Sequence, residues 1–299
     1  MRSIILLSLF KLTSKMPRWM ARGCGWLLGQ LLYLFPNKQQ RIYAVNIAIC
    51  FPELSAREQK TLLRKSLIEN FITLLELPAV WMGETSTWVD MTEEGSGFSE
   101  LEDAMAQGKG VIMAGPHLGN WEVGFLYLSS IFPVTALYRP PREQLLSDYI
   151  YAGRRKGGAD LAPANVHGVK KLITALRKGE MLFVLTDQLP KAAGKQGSVF
   201  APFFGQQAAT MVLVNSLARK TGAPVFFFYT ERYPGSRGYG LHCMPAPDGV
   251  SSPVAQEAAT AINKGLEVCI RQRPEQYLWG YKRFEKRPDG GPSPYSRTK

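Results

Sequence analysis

The chain has 299 residues, 45% of them hydrophobic and 20% charged. That is enough apolar material for one large α/β domain or two small ones, and it excludes a disordered polyelectrolyte. The formal charge of +12 calls for an acidic counterpart: nucleic acid, an anionic membrane, an acidic protein or a phosphorylated substrate.

The short basic runs Arg154-Arg155-Lys156 and Lys170-Lys171 fit a solvated face as well as a binding site. No aromatic RNA-binding motif, helix-turn-helix pattern or zinc-finger spacing supports a nucleic-acid partner. Cys24, Cys50, Cys243 and Cys269 form no C-x-x-C pair, so neither a thiol-rich metal site nor a redox motif is expected, and single cysteines fit a reducing compartment.

The N-terminus carries two apolar runs, Ile4 to Phe10 and Gly23 to Phe35, the second containing Gln30. Neither reaches the ~20 residues needed to cross a bilayer. They bracket Lys11, Lys15, Arg18 and Arg22 and include Trp19, Trp26 and Tyr33, which suits a helix lying in an anionic interface. A marginal single span and an ordinary buried helix are the alternatives. Next, Ser55-Ala56-Arg57-Glu58 is a capping-box pattern ahead of Leu62, Leu63, Leu67, Ile68, Phe71, Ile72 and Leu75, whose spacing predicts a one-faced helix ended by Pro78. Residues 1–85 are thus expected to be a helical region for membrane anchoring and packing.

From about residue 100 the texture changes, and residues 86–288 are read as one domain. Strands are expected at Val111–Ala114, Val134–Tyr138, Met181–Thr186 and Val225–Thr230, with a last short one at Tyr277–Tyr281. Helices are expected from Asn120 as a cap to about Ile131, from about Pro141, over Val169–Lys178, from a Thr210 cap to Thr221, and over Pro253–Arg271. Alternating strands and helices predict an α/β domain: a mostly parallel central sheet with helices on both faces. The polar, Pro/Gly-containing residues 289–299 predict a disordered tail.

Open α/β sheets bind ligands at the carboxyl ends of their strands. There the sequence places Gly115-Pro116-His117-Leu118-Gly119-Asn120-Trp121-Glu122, then Arg139, then Asp187-Gln188, then Glu231-Arg232. A histidine, carboxylates and arginines converging on one rim predict an active site. His117 is the candidate base, because an imidazole accepts and returns a proton near neutral pH. Glu122 follows five residues later, about 140° away on a continuous helix. It meets His117 only if the histidine stays in a loop and the carboxylate in the first helical turn, as Gly115, Pro116 and Gly119 allow. Glu122 is therefore the expected partner of the imidazole, and the N–H groups around Gly119 and Asn120 are expected to serve an oxyanion. With no G-x-S-x-G and no paired Cys/His signature, direct attack by an acceptor hydroxyl is simpler than a covalent intermediate.

His117-Leu118-Gly119-Asn120-Trp121-Glu122 resembles the H-x-x-x-x-D/E motif of glycerolipid-type acyltransferases. More specifically, it resembles the late acyltransferases of bacterial lipid A biosynthesis, the lauroyl/myristoyl type. Asn46-Ile47-Ala48-Ile49-Cys50-Phe51-Pro52-Glu53-Leu54-Ser55, Asp187-Gln188, Pro202-Phe203-Phe204-Gly205 with Thr210, and Gln276 to Phe284 are similar to further blocks of that family, in order, over roughly residues 40–288. The chain departs from the pattern at Gly280-Tyr281, where the family often carries a histidine. The resemblance implies an acyl-carrier-protein thioester as donor and a phosphorylated, sugar-linked lipid A precursor as acceptor. It also implies no metal or other cofactor, and a place on the cytoplasmic face of the inner membrane. His117 would be the base and Glu122 its catalytic partner. Gly119, Asn120, Arg139, Asp187 and Gln188 would bind or orient substrate, unless Arg139 and Asp187 simply pair, and Lys282 and Arg283 would offer phosphate contacts or form a solvated pair. Phe203, Phe204 and Phe226 to Phe228 are candidates for an acyl channel or for core. Another acceptor, such as a phosphatidylinositol mannoside, is the alternative.

Overall fold

The computed structural model describes residues 2–141, 143–189, 197–235 and 237–296. Helices α1 (Arg2–Ser14), α2 (Arg18–Leu34), α3 (Lys38–Cys50), α4 (Ala56–Met82) and α5 (Thr85–Val89) come first. Then follow β1 (Thr92–Glu94), α6 (Phe98–Ala106), β2 (Val111–Gly115), α7 (Trp121–Ile131), β3 (Val134–Tyr138), α8 (Gln144–Arg155), β4 (Asp160–Pro163), α9 (Val166–Arg177) and β5 (Met181–Leu185). The hairpin β6 (Ser198–Phe203)/β7 (Gln206–Met211), α10 (Leu213–Thr221), β8 (Val225–Arg232), β9 (Tyr239–Pro245) and α11 (Ala255–Gln272) complete the order. Among the described residues no helix is long and apolar enough to cross a membrane.

The main sheet runs β1-β9-β8-β2-β5-β3-β4, parallel throughout except where β9 lies antiparallel to β8. The central strands are apolar on both sides because both faces are covered. Ile112, Leu182 and Phe227 pack on the face shared with α9, α10 and α11, while Met113, Phe183 and Phe228 pack on the other, with α6 and α7. Ile42, Ile47, Leu62 and Leu67 of α3 and α4 join the first of these cores.

Several local expectations change. The capping box of Ser55 and Glu58 forms, but α4 continues through Pro78 to Met82. Pro78 has no N–H to give the Leu74 carbonyl, and Leu74 is among the exposed residues of the helix. Thr210 does not cap α10. It lies buried in β7 and bonds Asn263 at 3.1 Å. Tyr277–Tyr281 forms no strand, only an isolated bridge from Tyr277 to Leu118. The expected disordered tail is docked as far as Ser296: Tyr295 is buried, bonds the Asn46 side chain, and accepts from the Phe284 N–H at 3.1 Å. Residues 297–299 lie outside the described residues.

Candidate active site

β2 and β5 are parallel neighbours with Gly115 opposite Leu185. His117 and Asp187 each stand two positions beyond that pair. Adjacent strands lie ~4.8 Å apart, so side chains leaving equivalent positions meet. Nδ1 of His117 is 2.7 Å from Oδ1 of Asp187, and the His117 backbone N–H donates to Oδ2 at 3.3 Å. The Asp187 side chain is fully buried, and that of His117 keeps 20% of its surface. Burial alone would raise the Asp187 carboxyl, but the charge and hydrogen bonds of His117 outweigh it and hold the carboxyl below its ordinary value. The buried phenol of Tyr277 also bonds Asp187 and is pushed well above its ordinary value, first by burial and then by that charge. Asp187 thus fixes the imidazole and leaves Nε2 as the nitrogen that can take a proton.

The turn that carries His117 is tied down on several sides. Gly119 adopts φ 62°, where an added Cβ would run into the Thr230 carbonyl. Leu278 N–H donates to the His117 carbonyl at 2.9 Å, and the Thr73 hydroxyl donates to the Gly119 carbonyl at 3.0 Å. Gly119 N–H donates to Gln276 and Asn120 N–H to Thr230. These donors are used inside the fold, so the oxyanion role expected for Gly119 and Asn120 is corrected. The Asn120 side chain is buried too. It does not cap α7 but donates to Glu76 at 3.2 Å, because Glu76 sits in a buried cluster with Arg232 at 2.9 Å and Arg22 at 3.0 Å.

The expected pairing of Glu122 with His117 is also corrected. Trp121 turns toward the imidazole, their ring centroids 4.9 Å apart. The next residue is rotated by about 100°, which sends Glu122 between α4 and α8. There Arg154 holds the carboxylate through Nε at 2.9 Å and through its terminal nitrogen, and the indoles of Trp81 and Trp121 donate at 3.0 and 3.1 Å. Burial would raise this carboxyl, but Arg154 outweighs it and holds it below its ordinary value. The sequence carried the signal for Asp187, which follows a strand, but not for Arg154, whose partner lies 32 residues away.

The Gln188 amide lies 3.3 Å from His117 Nδ1. Arg139 is exposed beyond the end of β3, and Asp187 gives its oxygens to His117 rather than to it. Arg283 is no phosphate contact. It is 6% exposed, bonds the Ala209 carbonyl, Thr210 at 2.9 Å and Asn263 at 3.1 Å, and covers the Phe203 ring. Lys282 pairs with Glu285. At the end of β8, Glu231 pairs with Arg273 and Arg232 with Glu69 and Glu76. Phe203, Phe204 and Phe226 to Phe228 are buried core. A groove of about 400 Å³, mostly apolar but with Gln39, Asn70 and Thr73 in its lining, runs along Leu32, Leu67, Phe71, Leu74 and Leu77 to Trp121 and Leu278. Trp121 packs on the His117 ring and Leu278 bonds its carbonyl, so the groove reaches the residues that surround His117.

The family model for bacterial lipid A biosynthesis acyltransferases matches residues 3–286. The chain is 32% identical over 278 residues to the lipid A biosynthesis lauroyltransferase of Escherichia coli (strain K12), covering 91% of this chain and 87% of the relative. It is 32% identical over 276 residues to the lipid A biosynthesis palmitoleoyltransferase of the same organism, with the same coverage. It is 24% identical over 281 residues to that organism's lipid A biosynthesis myristoyltransferase, covering 90% and 82%.

Proposed function

Since the chain belongs to the bacterial lipid A biosynthesis acyltransferases, we propose that it moves a fatty-acyl group from an acyl-carrier-protein thioester to a hydroxyl of a phosphorylated lipid A precursor. His117 is the general base in this reading. The acceptor hydroxyl gives its proton to Nε2 as its oxygen attacks the thioester carbonyl. The tetrahedral intermediate then expels the thiolate, which recovers the proton from the imidazolium, so an ester forms and a thioester breaks. Asp187 holds the ring and stabilises the imidazolium. The apolar groove takes the acyl chain and presents its thioester end to His117.

The observation that carries this reading is the 2.7 Å contact between Nδ1 of His117 and Oδ1 of Asp187, next to an apolar groove bordered by Trp121 and Leu278. Glu122 contributes indirectly, by orienting Trp121 against the imidazole. The acidic carrier and the phosphorylated acceptor suit a chain of charge +12, and the proposed workplace is the cytoplasmic face of the inner membrane. The test is transfer from acyl carrier proteins loaded with graded chain lengths to a tetra-acylated, sugar-bearing lipid A precursor. Product that depends on His117 supports the reading, and no product with any donor refutes it.

A further inference from the structure

Helix α2 lies against α4 through Ala21, Gly25 and Gly29, its buried residues. A Cβ added at Gly25 would lie 2.7 Å from the Cα of Ile72, and one at Gly29 2.7 Å from the Ile68 nitrogen. The two backbones therefore approach as closely as glycine allows. This contact turns Trp26, Leu27, Leu31 and Leu34 outward, at 52%, 53%, 42% and 65% exposure.

It also brings Gln30, the one polar residue among them, over α4. The Gln30 side chain accepts from Nε of Arg64 at 2.9 Å, and its own Nε2 is buried with no partner among the described residues. Arg64 stands in a groove with Arg57, Lys60 and Lys65, all four exposed, and no carboxylate lines it. Trp26, Tyr33 and Leu34 form the opposite wall. Among the described residues none of the four cations enters an ion pair.

We propose that this α2/α4 groove seats the phosphate headgroup of an anionic bilayer lipid. Arg57, Lys60, Arg64 and Lys65 meet the phosphate, Gln30 holds Arg64 in place, and the outward side chains of α2 enter the interface. An acidic protein or free phosphate would satisfy the cations but leave Trp26 and Leu34 in water. A lipid surface satisfies both. The seat also places the apolar groove of the active site, whose wall includes Leu32 of α2 and Leu74 of α4, beside the bilayer that would hold the acceptor. The inference shares a membrane surface with the proposed function but not its chemistry, and the two fail separately.

The test is partitioning of the full chain onto vesicles of phosphatidylcholine with about one third phosphatidylglycerol, compared with phosphatidylcholine alone, with circular dichroism as the folding control. Each cation near an anionic surface contributes roughly a fivefold factor, and the joint effect weakens as salt rises. R57Q/K60Q/R64Q/K65Q is expected to lower partitioning onto the anionic vesicles on the order of 10²-fold at low salt, leaving binding to neutral vesicles unchanged. Gln30→Ala should lower it a few-fold with every charge kept, and R57K, which leaves the Gln30–Arg64 contact intact, should stay near wild type. K109Q/K178Q/K220Q/K264Q, on exposed lysines of the α/β domain, should lose far less. Wild-type partitioning of the groove variant, or an equal loss in the control variant, overturns the proposal. So does unchanged vesicle binding together with lost binding of acyl carrier protein. Acyl transfer to detergent-dispersed acceptor reads the chemistry separately, because that assay needs no vesicle.

Discussion

The rings of His117 and Trp121 stand edge to face, with centroids 4.9 Å apart at 72°, and the Trp121 indole nitrogen donates to Glu122. One carboxylate thus reaches the imidazole directly and the other only through an indole. The two are therefore expected to fail differently when changed.

Asp187→Asn keeps the shape but offers an amide donor to Nδ1, which places the imidazole proton on Nε2 and removes the base. Transfer should fall by about 10²–10⁴ with the fold retained, measured as kcat/KM beside a urea melt. A smaller loss than in Glu122→Gln would contradict the assignment of Asp187.

Glu122→Gln leaves Arg154, whose side chain keeps 21% of its surface, opposite a neutral group. Breaking a fully buried pair on one side costs about 3–5 kcal/mol, and water reaching Arg154 lowers that, so chemical denaturation should show a loss of up to about 3 kcal/mol. Transfer by the molecules that remain folded should fall less than in Asp187→Asn. Replacing Arg154 with Met in the same chain should recover part of the stability, since the uncompensated cation is then gone.

The buried carboxyls of Glu76, Glu122 and Asp187 all lie below their ordinary values. In each case burial opposes ionisation, and Arg232 and Arg22, Arg154 and His117 respectively outweigh it. A depressed carboxyl contributes stability that is fully present above its unfolded value, about 3.9 for Asp and 4.3 for Glu, and that is lost as pH falls through the folded value. Urea unfolding between pH 7 and pH 3 should therefore show stability dropping at the acid end. Glu76→Gln should be less stable at neutral pH and show a shallower acid decline.

Within the groove, Leu77→Trp should shorten the space beside Trp121. Competition assays with mixed donors should show preference moving toward shorter acyl chains, by roughly 10-fold or more per methylene that no longer fits. An unchanged donor profile would place the acyl chain elsewhere.

The central sheet was legible because the strands at Val111, Val134, Met181 and Val225 are short apolar runs closed by turns, and burial on both faces leaves little else for such runs to do. The edge pieces β1 and β4 were not, being three and four residues long and held by their neighbours rather than by their own pattern. His117 was legible from its Gly/Pro setting after a strand. Its true partner was visible as a residue at a strand end, but the choice of Asp187 over Glu122 depended on the register between β2 and β5, which no single segment encodes. The burial of Arg283 was hidden for a related reason: its acceptors, Ala209, Thr210 and Asn263, come from separate elements.

The most direct test of the central claim is single-turnover transfer from an acyl carrier protein thioester to the tetra-acylated precursor by His117→Ala, with folding verified by circular dichroism. A general base at this position predicts a rate lower by about 10²–10⁴. A folded His117→Ala chain turning over near the wild-type rate would contradict it.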